Sequence, residues 1–385
     1  MFSFFYSLLL WCLYLLTAPF LVLLSLKRKY RQSIPARFFL INNPPLKSNG
    51  VWFHSCSFGE AKSLEPIIKR FDKDTLRFTT TTQTGFSQIK RYSNESRYLP
   101  FEIFLPFWIR KQKALVVLEA ELWYMLFLVA KKRGSLTILL NARVSSKSYP
   151  KYKRFAWFYR KIFENIDRVY AQSEDDKKRL LLLGAKRVEV IGNIKLLSIP
   201  KPTKEYKKPN GLIVVAGSTH KNEEELILDS FLELKRKRAD AKLIIVPRHP
   251  ERFDEVEELI KRYNLPYSRF SKSGSMNEDI ILIDLMGELV NFYKIADIVI
   301  LGGAFEEVGG HNFAEAAQFG CKIITGKHTF NQRDILNSIE GVKVVEKEEL
   351  REALLEYDSL PNSSLKVKEV NIDSFFKEIE SVLQN

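Results

Sequence analysis

Short β-rich runs that alternate with amphipathic helical stretches restrict this chain to α/β layers built round parallel sheets. LIVVAG (212–217), KLIIVP (242–247), IILID (280–284), IVILGG (298–303) and KIITG (322–326) each pass through a short loop into a helical pattern. That half is predicted to be a Rossmann-like sheet whose ligand binds at the carboxyl ends of its strands. A chain of 385 residues has room for roughly two or three domains. The polar, Pro- and Lys-rich stretch Ser198–Asn210 (SIPKPTKEYKKPN) interrupts the periodic pattern and marks the expected boundary. The expected organisation is an apolar segment at 1–26, a first domain at 27–200 and a second at 201–385. With 45% hydrophobic and 28% charged residues, a disordered chain and a fibrous one are both excluded.

Residues 1–26 carry no charged side chain and are dense in Phe, Leu, Tyr and Trp, with Pro19 the one strong helix breaker. As a helix rising 1.5 Å per residue, the segment is long enough to cross a bilayer core of about 30 Å. Lys27, Arg28, Lys29 and Arg31 follow the stretch, the reverse of a cleavable signal peptide, and are expected to stay in the cytoplasm with the rest of the chain. Cys12, Cys56 and Cys321 are scattered and lack disulfide or metal spacing. Lys and Arg outnumber Asp and Glu by 34 to 14 up to residue 200 and fall short by 26 to 32 after it, so the excess positive charge belongs to the first half. A basic half suits nucleic acid, an anionic membrane or merely a soluble surface. The apolar segment upstream favours the membrane over nucleic acid.

In the second half the loops after the strands hold the candidate chemistry. In GSTHKNEEE (217–225), Ser218 and Thr219 offer hydroxyls, and Asn222 with Glu225 has capping-box spacing. The free N–H groups there either hold an oxyanion or only begin a helix. PRHPER (247–252) follows the next strand; Arg248 can grip a phosphate with forked hydrogen bonds, and His249 can assist. DLMGEL (284–289) puts Glu288 at a helix start, where it accepts from a ribose or base or simply favours the helix dipole. In GGAFEEVGGHNFAEAAQFG (302–320) four glycines precede Asn312, and Glu315 lies three residues on, placed to suit the hydroxyls of a ribose. No single loop is a GxGxxG or Walker motif. Four of them after successive strands argue for a nucleotide.

The first half differs. In VWFHSCSFGEAKSLEPIIKRF (51–71) a strand ends near His54, and Glu60 opens a helix whose apolar face is Leu64, Ile67, Ile68 and Phe71. Glu60 is either a general base for an acceptor hydroxyl or a first-turn carboxylate that favours the helix dipole. Glu119 and Glu121 follow the apolar run 115–118, and two buried carboxylates require a partner. NARVSSKS (141–148) and GNIK (192–195) supply Arg143, Ser145, Ser148 and Lys195 for an anionic substrate. FEIFLPFWIRKQK (101–113) interleaves Phe101, Phe104, Phe107 and Trp108 with Arg110, Lys111 and Lys113, which suits either a lipid-facing surface or core packing.

Taken together, HSCSFGE, EAELW, NARVSSKS, AQSEDDKKRLLLLGAKRVEVIGNIK, AGSTHKNEEE, PRHPERF, MGEL and GGHNFAE, in this order, resemble the 3-deoxy-D-manno-octulosonic acid (Kdo) transferases of lipopolysaccharide synthesis. The resemblance covers about residues 1–335. It implies a GT-B type α/β fold, with two Rossmann-like domains facing a central cleft behind an N-terminal membrane-anchor helix, and a last helix that packs back on the first domain. It implies inverting transfer of Kdo from CMP-Kdo to a hydroxyl of the lipid A precursor (lipid IVA). In that family's terms Glu60 is the general base, and Glu121 and Lys195 support the transition state. Pro247 and Arg248, Met286, Gly287 and Glu288, and Asn312, Phe313, Ala314 and Glu315 are CMP contacts. No cofactor or metal is expected, the charge of the departing phosphate falling to Arg248, Lys195 and helix termini. Ala120 and Tyr124 depart from the family's usual Thr and Pro, Asn222 stands where Gly is common, and Ala304 replaces a usual Ser. Two other readings fit the residues: a membrane-bound transferase using another nucleotide sugar, and a non-catalytic nucleotide-binding membrane protein.

Overall fold

A computed structural model describes residues 1–366 and 370–384, the side chains of Arg333 and Asp334 excepted. The chain forms two compact units, one comprising Met1–Ser198 together with the C-terminal helix Asp373–Gln384, the other starting at Ile199. Each unit is built on a seven-stranded, wholly parallel sheet.

The first sheet contains β1 (Val51–Ser55), β2 (Leu76–Thr80), β3 (Ser96–Tyr98), β4 (Ala114–Leu118), β5 (Leu136–Ala142), β6 (Arg168–Ala171) and β7 (Val188–Val190), in the order β3-β2-β1-β4-β5-β6-β7. Its central strands VWFHS and ALVVL are buried at every residue, as expected of parallel strands covered on both faces. Alternation sorts their side chains. Val51, Phe53, Val116 and Leu118 enter one core with Leu64 and Ile67, while Trp52, Leu115 and Val117 enter another with Trp108 and Phe127. The helix Asp373–Gln384 completes the first of these layers: Phe375 meets the Tyr170 ring edge-on at 5.8 Å and Phe376 lies 5.8 Å from Phe71. Arg168 and Glu378 add an ion pair across the same contact.

The apolar N-terminal segment forms helix α1 (Phe2–Ser25), and Pro19 lies inside it. One side of α1 packs on the first unit. Tyr6 donates to Glu102 at 2.7 Å, Tyr14 donates to the Phe38 carbonyl at 2.8 Å, and Phe2 meets Tyr124 edge-on. Leu9, Leu15, Leu16, Phe20 and Leu23 on the same helix are exposed. The 101–113 segment divides between the two roles open to it. Phe101 and Phe104 pack beside Tyr14, and Phe107 is 80% exposed, but Trp108 is a core residue whose indole donates to the Asn43 carbonyl at 2.8 Å.

The second sheet contains β8 (Ile213–Thr219), β9 (Lys242–Pro247), β10 (Tyr267–Arg269), β11 (Ile280–Leu282), β12 (Ile298–Leu301), β13 (Lys322–Gly326) and β15 (Val342–Val345), ordered β10-β11-β9-β8-β12-β13-β15. The short β14 (Ile339–Glu340) pairs outside it, antiparallel to β16 (Ser364–Leu365). The order reverses at β8, between β9 and β12, and this is where a parallel sheet opens a crevice at its carboxyl edge. The loops after those three strands are the ones rich in glycine, histidine and arginine.

Candidate functional site

On the first unit the carboxyl ends of β1, β4 and the neighbouring loops hold a group of acids. Ser57 is the N-cap of the helix Phe58–Ser63. Glu60, in its first turn, accepts from Ser57 Oγ at 2.9 Å through Oε1 and from the Cys56 N–H at 2.7 Å through Oε2. It therefore does close off a helix start, as the plainer of its two readings requires. Yet its carboxyl is not that of an ordinary cap: burial, reinforced by the negative charge of Glu119, pushes its pKa up to about 7 against the pull of its two hydrogen-bond donors. A carboxyl so poised is half-ionised near neutrality, the condition for a general base.

Glu119 follows β4 in the left-handed region, at φ 57°, a conformation that strains a residue with a side chain. Its carboxylate meets Lys195 Nζ at 2.7 Å, both groups being mostly buried. Glu121 accepts from the Trp123 indole at 2.7 Å. Lys195 thus pairs with Glu119, and Glu121 is oriented by the tryptophan two residues on. Asn141, at the end of β5, is also left-handed (φ 58°), and its side chain accepts from the Ile194 N–H at 3.1 Å, which fixes the segment carrying Lys195. Ser145 and Ser148 bond to each other at 2.8 Å within a local turn.

On the second unit, Ser218, one residue before the end of β8, is again left-handed at φ 54°. Thr219 is fully buried and donates to Glu224 at 2.9 Å, so its hydroxyl is committed to the protein. Glu224 also receives Arg252 Nη1 at 2.6 Å, and Arg252, not Arg248, is the more buried cation of PRHPER. Arg248 and His249 are exposed beyond β9. Asn222 does not form the expected capping box. It precedes the helix Glu223–Lys237 at φ 73° with no side-chain cap bond, because an N-cap residue must be extended to reach back to its own helix. Glu223 binds the neighbouring loop instead, accepting from the N–H groups of His220, Gly303 and Phe305 at 2.8–3.0 Å.

Glu288 is similarly occupied. It is buried, and its carboxylate receives Lys204, Tyr206 at 2.8 Å and Asn291 at 2.7 Å. Burial alone would raise its pKa, but these donors hold it below the usual carboxylate range. Its visible role is to fasten the 203–206 segment, while Met286 and Gly287 beside it face solvent and open space. Phe313 and Ala314 are fully buried core residues. Asn312 accepts from the Ala314 N–H and donates to Glu315 at 3.2 Å.

Residues 32–198 match the family model described as 3-deoxy-D-manno-octulosonic-acid transferase (kdotransferase), and residues 198–370 match glycosyl transferases group 1. A 3-deoxy-D-manno-octulosonic acid transferase of Haemophilus influenzae is 34% identical, over 90% of this chain and 87% of its own length. The chain belongs to the 3-deoxy-D-manno-octulosonic acid transferase family. A bifunctional glycosyltransferase/methyltransferase of Fusobacterium nucleatum is also 34% identical, over 87% of this chain, which spans 56% of that longer protein. The crystallised C-terminal CMP-Kdo binding domain from Acinetobacter baumannii is 28% identical and aligns with 46% of this chain and 91% of its own, at a TM-score of 0.36.

Within this Kdo transferase family member, two sets of groups went unmarked by spacing. Arg37, on the helix Ser33–Phe39, donates through Nε to the Leu99 carbonyl at 3.0 Å, and its charge acts on Cys56, Glu121 and His54. Nothing in IPARFF distinguishes it from the basic run just upstream. His220 and His311 touch through their Nε2 atoms at 2.8 Å although 91 residues separate them. Each was in view as part of a loop, but only the sheet order brings those loops together.

Proposed function

We propose that this protein transfers Kdo from CMP-Kdo to a hydroxyl of a lipid A precursor, with Glu60 as the general base. The observation that carries this reading is the Glu60 carboxyl, whose pKa is driven up to about 7 by burial and by Glu119. The acceptor hydroxyl gives its proton to Glu60 as its oxygen bonds to the anomeric carbon of the sugar. The bond from that carbon to the phosphate breaks with its electron pair on the phosphate oxygen. Glu119 and Lys195 hold each other in a fixed pair whose ammonium offsets the acid cluster, so that Glu60 is not driven to permanent protonation. On the second unit Arg248, exposed beyond β9, receives the nucleotide phosphate, with no metal in the reaction.

The apolar exposed side of α1 supports anchoring in the inner membrane. The helix is 24 residues long, enough for a bilayer core, and basic residues follow it directly. A lipid A precursor bears phosphates and lies in an anionic membrane, which fits the positive charge of the first half.

The test is incubation of the detergent-solubilised protein with CMP-Kdo, made in place, and a lipid A precursor, followed by lipid mass. A gain of one or more Kdo units that is lost in Glu60→Gln is the expected result. No gain with a folded, CMP-binding wild type overturns the acceptor assignment.

A further inference from the structure

The loops after β8 and β12 bring two imidazoles into direct contact. His220 Nε2 and His311 Nε2 are 2.8 Å apart, with ring planes 14° from parallel. Among the groups that face the pair, the loop after β9 contributes His249, edge-on to His220 at 5.2 Å, with Arg248 and Arg252. From its own loop Glu223 accepts from the His220 N–H, and Glu224 is engaged with Arg252 and Thr219. The contact is close-packed. A Cβ added to Gly303 would lie 2.7 Å from the His311 ring, so the backbone of the β12 loop passes against the pair where only glycine fits.

Two imidazoles joined nitrogen to nitrogen have a limited set of states. Neutral, one ring donates and the other accepts. With one added proton the same N–H···N bond persists, carrying charge and strengthened by it. A second added proton would set two N–H groups against each other and break the bond. The pair can therefore take up at most one proton. Alone, it stays neutral at pH 7: burial first, then the neighbouring cations and histidines, lower the affinity of His220 for a proton and push His311 down to about 4. An arriving phosphate reverses that field, since its negative charge cancels the arginines.

We propose that His220 and His311 form a proton-accepting cradle for a nucleotide phosphate, taking up one shared proton from solvent when the phosphate binds. The assignment rests on the reading of the second unit as the nucleotide-binding half. During transfer the phosphate passes from a singly charged diester to a doubly charged monoester. The added proton stays on the imidazole pair, where, the two Nε2 atoms being engaged with each other, an Nδ1–H donates to the product phosphate, and it returns to solvent when the nucleotide leaves. No proton from the acceptor is involved, because that one resides on Glu60.

The experiment is calorimetric titration of the full-length, detergent-solubilised protein with CMP at pH 7.5 in buffers of different ionisation enthalpy, which counts protons taken up per nucleotide. Wild type is expected to take up roughly one proton per CMP and none with cytidine. His220→Asn and His311→Gln, each checked for an unchanged melting transition, are expected to lose that uptake and to bind CMP about tenfold or more weakly, with cytidine binding unaltered. CMP bound by wild type without proton uptake, or uptake undiminished in both folded variants, overturns the cradle and leaves the donor reading standing. UMP bound with uptake that the variants abolish, and CMP not bound, supports the cradle and overturns the choice of cytosine. Failure of both nucleotides to bind overturns cradle and donor reading together.

Discussion

The two sheets are both seven-stranded and parallel, differ in strand order on one side of their first strand, and place opposite chemistry at their carboxyl edges. After β1 and β4 the first unit gathers Glu60, Glu119 and Glu121, with Lys195 as the paired cation. After β8, β9 and β12 the second unit gathers His220, His311, Arg248 and Arg252 among glycines. Burial acts on both and, because the charged forms differ in sign, moves them in opposite directions: the Glu60 carboxyl holds its proton up to about pH 7, and the His311 ring gives its own up well below it. One edge is thus poised to accept a proton from a neutral hydroxyl, the other to meet an anion with neutral rings and fixed cations. On the proposed function each edge serves one half of the transfer, and the residues at the strand ends, not the strands, decide which.

Removing the acid tests this contrast most severely. Glu60→Gln keeps an oxygen to accept from the Cys56 N–H, so the helix start survives while the base is gone. A fall in kcat of about 100-fold or more is expected, with nucleotide binding on the second unit unchanged by titration. Loss of CMP binding alongside activity would show that the two edges do not act separately.

Lys195→Met breaks the ion pair on one side only. Glu119 is then a mostly buried carboxylate without its ammonium, a change that costs about 3 kcal/mol, read from the urea midpoint. Glu60 gains an uncompensated neighbour, so its pKa and the acid limb of the pH–rate profile should move upward. Adding Glu119→Gln should restore most of the stability and bring the limb back down. A double variant no more stable than Lys195→Met would remove the pair from this account.

The pH dependence of folding sharpens the same point with a smaller effect. Glu60 has a raised folded pKa, so its contribution is fully present below about 4.5, its ordinary value, and is lost as pH rises through about 7. Between pH 5 and 8 the wild type should therefore lose stability relative to Glu60→Gln by a few kcal/mol at most. Parallel urea midpoints for the two proteins across that range would discard the raised pKa.

Much of this was legible in the sequence, for reasons that particular residues make plain. The β-rich runs are buried on both faces and so read as continuous apolar strings, and the loops after them are marked by glycine and charge. Glu60 stands out as a candidate in the sequence because a small-residue turn sets it at a helix start. What spacing did not settle was which groups their neighbours had already engaged. Thr219 offers a hydroxyl by sequence and is held by Glu224; Glu288, which by sequence accepts from a ribose or base or simply favours the helix dipole, is engaged by Lys204, Tyr206 and Asn291. Asn222 had the right spacing for a capping box and the wrong backbone conformation. Partners such as Lys204 to Glu288, 84 residues apart, or His220 to His311, follow from strand order, which no local pattern encodes.

The smallest expected effect is at Tyr293, whose fully buried hydroxyl has no hydrogen-bond partner among the described residues and lies against Gly217 in β8. A buried hydroxyl left unpaired costs stability, so Tyr293→Phe should be neutral or raise the melting temperature slightly, an effect within about 1 kcal/mol. The same hydroxyl explains the glycine: a Cβ at position 217 would sit 2.1 Å from it. Gly217→Ala should therefore destabilise by about 1–3 kcal/mol, and Tyr293→Phe should recover part of that loss by removing the nearest atom, while the ring carbon at 2.7 Å keeps the recovery incomplete. If Tyr293→Phe instead lowers stability, or weakens CMP binding with stability intact, the hydroxyl has a partner when the site is filled. The nucleotide edge would then differ from the acid edge, where the buried Asn141 Nδ2 and His54 Nε2 have no hydrogen-bond partner among the described residues and no ligand is assigned to them.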